Sequence, residues 1–486
     1  MNYQGASVPL IAIIGGGFCG VSTLIQLCRQ CSQPLSIRLI NKDHELAKGI
    51  AFSSYNENHL LNVAAGKMSV LPDIPGHFTS WVLSRSEYKM YHTDSLPELF
   101  LPRVIYGEYM KSVLEDHLKN IPSYLDVKII GDEAVNIKSS GEMAKVMLKN
   151  GHTIQAHKVI LATGNFVPAD PAIENMNFYS EASGYFANPW TADAVTALAE
   201  RGNVLIIGTG LTMVDNVLSI VEKGFTGKIT AVSTKGFFPL SHKKTTPYRE
   251  ILDEIDPVAP LVHQYRIFKN HIRKVLHQNI TGEVVVDAVR PLTQRIWLNL
   301  ELKEKKSFIQ HLRHLWGVAR HRLPGDVHDK MTGLIRDGRL EIVPARLSNM
   351  EMTSEGKIKA TILHRKTATK SILTVDRVIN CTGPQTDIRK IKNELIRNLL
   401  REGLICTDEM LLGMNAQPDG TILNRRAEPS PFLLTLGSNL KGILWESTAV
   451  PELRMQAQQM AKKILSSFEN PENEKILAAK IVNLVK

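Results

Sequence analysis

Residues 11–27 read IAIIGGGFCGVSTLIQL. The run from Ile11 to Ile14 is unbroken and apolar, the pattern of a strand covered on both faces in a parallel sheet. Gly15, Gly17 and Gly20 then fit G-x-G-x-x-G, with Phe18 and Cys19 between them, and Val21, Leu24, Ile25 and Leu27 fall on one helical face. Strand, turn and helix in this order have a physical purpose. The first glycine permits a tight turn, the second admits a pyrophosphate to the backbone, and the third lets helix pack on strand, so that the helix N-terminus faces phosphate. The next strand, LSIRLIN, ends at Asn41, where such folds usually place an acid for a ribose hydroxyl. Asparagine keeps the hydrogen bond and adds no charge preference.

The opening recurs at residues 203–221, NVLIIGTGLTMVDNVLSIV. Here Gly208 and Gly210 are followed by Leu211 and Thr212, and the third glycine position is Met213. The strand after it, KITAVST, ends at Ser233, Thr234 and Lys235 instead of an acid. Hydroxyls and a cation welcome a ribose 2′-phosphate that a carboxylate would repel, which favours NADPH over NADH. His242, Lys243 and Lys244 extend that site or form a solvated loop.

Two further strands, HKVILATGNFVP and VDRVINCTGPQTD, close on small-residue turns at Thr163-Gly164 and Thr382-Gly383. Such turns are expected where a chain passes between two nucleotide domains. The expected division is a first domain made of residues 1–170 and 373–486, with a second domain, 171–372, inserted in it. A helical pattern over about 261–339 reads as an addition to the second domain.

Composition sets limits on function. Hydrophobic residues are 43% and charged residues 22% of 486, an ordinary globular balance that two domains accommodate. No apolar run approaches the roughly 20 residues of a membrane helix, and a cytoplasmic protein is expected. The net charge of +10 is spread along the chain without aromatic interleaving, so a solvated surface with one or two phosphate sites is favoured over nucleic-acid binding. Five cysteines describe no disulfide framework; Cys28 and Cys31 read as small hydrophobes of a helix, and His311 and His314 lack an acidic partner for a metal. Oligomeric state is not legible.

The paired glycine units and the two Thr-Gly crossings resemble two-dinucleotide flavoproteins, in which FAD sits on the first unit and NAD(P)H on the second. GIAFSSYNENHLLNVAAGKM (49–68), FLPRVIYGEYM (100–110), NPW (188–190), LWGVARHRLP (315–324) and GILWESTAVPELRMQA (442–457) resemble, more narrowly, a bacterial FAD/NAD(P)-binding protein family. That family is related to flavin-containing monooxygenases and to lysine and ornithine N-hydroxylases. The resemblance implies an α/β fold of two Rossmann-like domains with glutathione-reductase-like architecture, the NADPH domain inserted in the FAD domain.

It also assigns residues. Gly49, His59, Asn62 and Met68 are expected to line FAD, and Asn62, Arg103 and Trp190 are the candidate catalytic residues. Arg103, after Pro102, suits a substrate carboxylate, an FAD phosphate or a structural ion pair equally. Ser447 and Thr448 can cap a helix beginning near Val450 and Pro451, whose N-terminus would face the flavin. Gly437 stands where relatives carry Gly-Asp; Ser438 replaces the acid. For Arg320, His321 and Arg322 a solvated basic face is favoured over an acidic substrate or NADPH phosphates.

The implied activity is NADPH-dependent reduction of FAD followed by oxygenation of a small molecule through a peroxyflavin, with an amine nitrogen as one target and molecular oxygen as co-substrate. The stretch after Gly164 lacks the Phe-x-Gly and His pattern of flavin-containing monooxygenases. Two alternatives therefore stand: an NADPH-dependent flavin dehydrogenase or reductase, and an FAD-binding interaction or sensor protein without turnover.

Overall fold

Each quoted apolar run becomes a strand. The structure, a computed structural model, describes residues 8–469 apart from 44, 55 and 245. In chain order the strands are β1 (Leu10–Ile14), β2 (Leu35–Ile40), β3 (Leu125–Ile130), β4 (Ala134–Ser140), β5 (Met143–Leu148), β6 (Thr153–Ala156), β7 (Lys158–Leu161), β8 (Tyr185–Phe186), β9 (Asn203–Ile207), β10 (Lys228–Ser233), β11 (Leu340–Met352), β12 (Ile358–His364), β13 (Lys370–Val375), β14 (Arg377–Asn380), β15 (Thr421–Leu423) and β16 (Pro429–Thr435). Helices that frame the sites are α1 (Phe18–Gln30), α2 (Arg103–Lys119), α3 (Leu211–Glu222), α4 (Leu261–His277), α5 (Arg313–Arg320), α6 (Gly325–Arg336) and α7 (Val450–Glu469).

The chain divides into two units. The first comprises Met1–Ser54, Val63–Asn165 and Thr386–Lys486. Its main sheet has the order β15-β16-β7-β1-β2-β3, parallel except for β15. Ile11, Ala12 and Ile13 are wholly buried, which is why this strand is apolar at every position. From β1 the chain runs through α1 to β2 on one side, and β7 lies on the other. That reversal opens a crevice at the carboxyl ends of β1 and β7. Strands β4, β5 and β6 form a separate antiparallel sheet.

The second unit comprises Tyr55–Asn62 and Phe166–Gln385, with the sheet order β13-β12-β11-β10-β9-β14-β8. Its reversal falls between β9 and β14. Side chains of β9 alternate between two cores: Val204 and Ile206 pack with Met213, Val214 and Val217 of α3, whereas Leu205 and Ile207 pack with Ile358, Ala360 and Val378. Strand β11 pairs in parallel with β10 up to Pro344 and then antiparallel with β12, so the parallel sheet continues into a ribbon. Between β10 and β11 lie α4, α5, α6 and shorter helices, with a small core of Ile251, Val275, Val284, Val285 and Val289. One of those short helices is fixed by a Glu301/Glu304 capping box.

These boundaries depart from the expected ones. Strand β14 pairs with β9 and β8, so it belongs to the second unit and the chain returns at 386 instead of 373. The first crossing falls at 165/166, where Phe166 bridges to Gln385. Residues 56–62 also lie with the second unit. The Asn56 amide donates to Ser219 Oγ, the Asn58 amide to Glu222, and Lys330 Nζ to Asn58 Oδ1, fastening this short excursion to α3 and α6.

Candidate functional site

The two glycine turns share one construction. Gly15 and Gly208 both have φ +110°, and a Cβ on either would lie 2.3 Å from a carbonyl oxygen, that of Ala162 or of Cys381. An L side chain fits neither the angle nor the space. Each turn therefore abuts the end of the strand across the reversal. Gly17 and Gly210 are the helix N-caps, extended at φ −77° and −88°; neither helix has a side-chain cap or an acid in its first turn. Two uncapped N-termini in crevices leave N–H donors and positive dipole ends for a phosphate. Gly49 lies opposite Gly17, its Cβ position 3.4 Å from Gly17 Cα, whereas a Cβ on Gly210 would meet nothing within 4 Å. Both cradles thus fit a dinucleotide pyrophosphate.

The third motif positions differ. A Cβ on Gly20 would lie 1.9 Å from the Gly15 carbonyl oxygen, so α1 packs directly on the turn. Met213 occupies the matching place in α3, wholly buried in the core beneath β9.

The residues after the second strands serve the turns themselves. Asn41 Oδ1 accepts the Gly16 N–H at 2.9 Å and its amide donates to the Asp43 carbonyl at 2.7 Å. Ser233 Oγ lies 2.9 Å from Thr209 Oγ1 and accepts the Gly236 N–H at 3.0 Å. Thr234 is exposed and Lys235 half-buried. The Thr-Gly turns have buried asparagine clasps that sequence reasoning missed. Asn439 donates to Thr163 Oγ1 and to the Leu161 carbonyl, and Asn380 Oδ1 accepts both the N–H and the hydroxyl of Thr382. Gly164 and Gly383 follow at φ +66° and +94°.

The C-terminal motif closes on α1. A Cβ on Gly437 would lie 2.8 Å from Cys19 Sγ, and the Gly437 N–H donates to Gln456 Oε1. Gln456 donates in turn to Ser447 Oγ, which donates to the Gly437 carbonyl. Ser447 is thus spent on this ring instead of capping the helix. The first bonds of α7, which starts at Val450, go to the Ala449 carbonyl, and Thr448 is exposed. Ser438 belongs to the short turn Gly437–Leu440. Burial pushes the Cys19 thiol up to about 12, so it is a packing group. All five cysteines are free, and among the described residues no cluster of His, Cys, Asp or Glu could hold a metal.

The other candidates divide between the two units. Phe18 packs on Phe52 and Tyr106, Met68 is buried in the first unit, and Arg103 is the first residue of α2. Leu211 and Thr212 open α3. His59, expected to line FAD, belongs to the second unit: it is 6% exposed, with Nε2 2.9 Å from the Asp215 carbonyl and 2.8 Å from Ser219 Oγ. Asn62 is in the second unit too, its carbonyl 3.2 Å from His242 Nε2, and Trp190 is 37% exposed in a turn there. Burial, with the field of Arg322, pushes His242 down to about 4. Arg320 and Arg322 are each 6% exposed, which overturns the solvated-face reading; Arg322 Nη2 bonds both oxygens of Asp287 at 2.6 Å.

A cavity of about 590 Å³ opens beyond the carboxyl end of β10. Lys235, Arg346, Arg365, His311 and His364 line it together with Thr234 and Gln310, and no carboxylate does. Burial lowers the nearby His314, and the fields of Arg313, Lys235 and Arg365 add to that.

Two crevices of this kind on one chain, at matching reversals, define the fold of a two-dinucleotide-binding-domain flavoprotein. Residues 12–166 match the family described as FAD-NAD(P)-binding, so the first unit carries an FAD/NAD(P)-binding domain. Among solved structures, the fold is similar to an ornithine hydroxylase of Pseudomonas aeruginosa (TM-score 0.65, 12% identity, 95% of this chain and 100% of that one). It is similar also to the L-lysine 6-monooxygenase of Pseudomonas syringae (0.64, 15%, 94% and 98%) and to the ornithine N-hydroxylase of Kutzneria sp. 744 (0.62, 12%, 94% and 99%). The last was solved with reduced FAD, NADP+ and L-ornithine. A nitrosuccinic acid synthase of Aspergillus oryzae is 20% identical over 244 residues, 47% of this chain and 37% of that protein's length. No helix among the described residues is long and apolar enough to cross a membrane.

Proposed function

We propose that this chain is an FAD-dependent, NADPH-consuming monooxygenase that oxygenates a small molecule at nitrogen. The observation that carries the reading is the pair of like-built phosphate cradles, Gly15 to Gly20 and Gly208 to Met213, in a fold that matches N-hydroxylating enzymes over nearly its whole length. FAD on the first cradle would supply hydride acceptance and oxygen chemistry. The chain's own part is alignment. Gly15, Gly17, Gly49 and the N-terminus of α1 hold the FAD pyrophosphate; Gly208, Gly210, Leu211 and Thr212 hold that of NADPH. Asn439 and Asn380 fix the Thr163 and Thr382 turns beside them. Arg103, Asn62 and Trp190 remain the proposed substrate-side groups. Free cysteines suit a reducing cytoplasm.

The test is product stoichiometry. Purified chain loaded with FAD is given NADPH, oxygen and one amine at a time, among them ornithine, lysine, cadaverine and aspartate. Hydroxylated or further oxidised nitrogen in proportion to NADPH consumed supports the reading. Rapid flavin reduction with no oxygenated product from any amine, and peroxide in its place, would leave a reductase.

A further inference from the structure

The cavity beyond β10 is assembled from three parts of the second unit far apart in sequence. Thr234 and Lys235 come from the loop after β10, Arg346, Leu363, His364 and Arg365 from the β11–β12 ribbon, and Gln310 and His311 from the helical addition. The loop is held rigidly: Ser233 Oγ accepts the Gly236 N–H, and a Cβ on Gly236 would lie 2.8 Å from Pro344 Cβ, so the turn is seated on β11. Arg365 is drawn to the same loop, its Nη1 donating to the Thr234 carbonyl at 3.4 Å. Arg346 sits across the ribbon from Leu363, one pair away from His364. The helical addition reaches the cavity through an irregular turn. The Arg313 N–H reaches back five residues to the Phe308 carbonyl, a widened turn of the kind that recurs at functional sites. It brings Gln310 and His311 to the wall.

Charge decides the class of ligand. Three permanent cations and two imidazoles line one open cavity without a carboxylate. Like charges repel in the empty site, and only an anion repays that repulsion. Guanidinium groups match the oxygens of a phosphate, and an ammonium group adds a point charge. The location narrows the anion further, since the end of the second strand of a dinucleotide-binding unit faces the adenosine ribose.

We infer that this cavity reads the 2′-phosphate of NADPH, with Arg346 and Arg365 of the ribbon and Gln310 and His311 of the helical addition completing the site begun by Lys235. The addition is then a specificity element of the nucleotide domain. The inference rests on the NADPH reading above and deepens it.

A binding measurement separates it from turnover. Calorimetry on the full chain loaded with FAD compares adenosine 2′,5′-bisphosphate, 5′-AMP and inorganic phosphate. Adenosine 2′,5′-bisphosphate should bind at least about tenfold more tightly than 5′-AMP, and Arg365→Ala and Arg346→Ala should each erode that preference by about tenfold. His311→Ala and Gln310→Ala should each erode it by a smaller factor. Arg346, Arg365 and His311 are exposed, so these variants are expected to fold. Equal binding of the two adenosine nucleotides overturns the inference. So does inorganic phosphate binding as tightly as the bisphosphate, which would make the cavity a general anion site. A preference untouched by His311→Ala and Gln310→Ala would remove the helical addition from it. None of these outcomes depends on oxygenation, so failure of the proposed activity would be seen separately.

Discussion

The two nucleotide crevices are near copies at the turn and unlike one residue row deeper. At the turn, Gly15 and Gly208 have the same φ and the same 2.3 Å approach to a carbonyl across the sheet reversal. Below it, Gly20 lets α1 lie against the turn, while Met213 fills the space between α3 and β9. The turn itself admits only glycine; the packing behind it has two solutions. The third glycine of the motif is therefore a packing residue, and its loss in the second crevice leaves the phosphate cradle intact.

Exchange of the unlike residues should give the largest effects. Gly20→Met drives a side chain into the Gly15 carbonyl and should destabilise the first unit by about 4 kcal/mol or more, with flavin lost on purification. Met213→Gly should cost about 3 kcal/mol through the cavity it leaves, with flavin content unchanged. Denaturant unfolding followed by flavin absorbance reads both. Flavin retained by Gly20→Met would show that the first turn tolerates a side chain at its third position.

Next come the like residues. Gly15→Ala and Gly208→Ala should each cost about 3 kcal/mol of local strain. The first should empty the FAD site, and the second should spare flavin and abolish its reduction by NADPH. Anaerobic bleaching of the flavin distinguishes them. Smaller effects, about 1 kcal/mol, are expected for Asn41→Ala and Ser233→Ala, which remove a turn-holding hydrogen bond in the first and second unit respectively. Each should weaken only its own nucleotide.

The smallest is a slope. His242 is held neutral by burial and by Arg322, its value depressed from 6.5 to about 4. The unfolded chain binds this proton first, so its contribution is complete above pH 6.5 and is lost as pH falls toward 4. Melting temperature should fall less steeply over that interval in His242→Gln than in the parent chain. Parallel slopes would remove His242 from the acid sensitivity.

Both glycine turns were legible because only glycine satisfies the angle and the approach, so residue type alone carries the geometry. Asn41 and Ser233 were legible as special positions, yet their main bonds go to the turns, a use that spacing along the chain does not reveal. The excursion of residues 56–62 was hidden because His59 and Leu60 would suit a buried loop on either unit; which α-helix takes them is decided by Ser219 and Asp215, about 160 residues later. The late boundary was hidden likewise, since β14 has the same apolar pattern whichever sheet it joins. Arg346 and Arg365 carry no local motif. They meet Lys235 only because β11 changes partner at Pro344, and no periodicity announces that.

Strand β16 lies beside β7 in the first sheet, yet it begins at Pro429. On the ribosome residues 166–385, nearly all of the second unit, emerge between these two neighbours, on the order of tens of seconds of synthesis. During that interval Val159, Ile160 and Leu161 offer an unpaired parallel edge, the kind of surface that recruits wrong strands. The nascent chain must therefore keep an unfinished sheet out of trouble while a complete domain folds in its middle. Its yield in cells should respond to holding chaperones and to translation speed more than the stability of the finished protein would indicate.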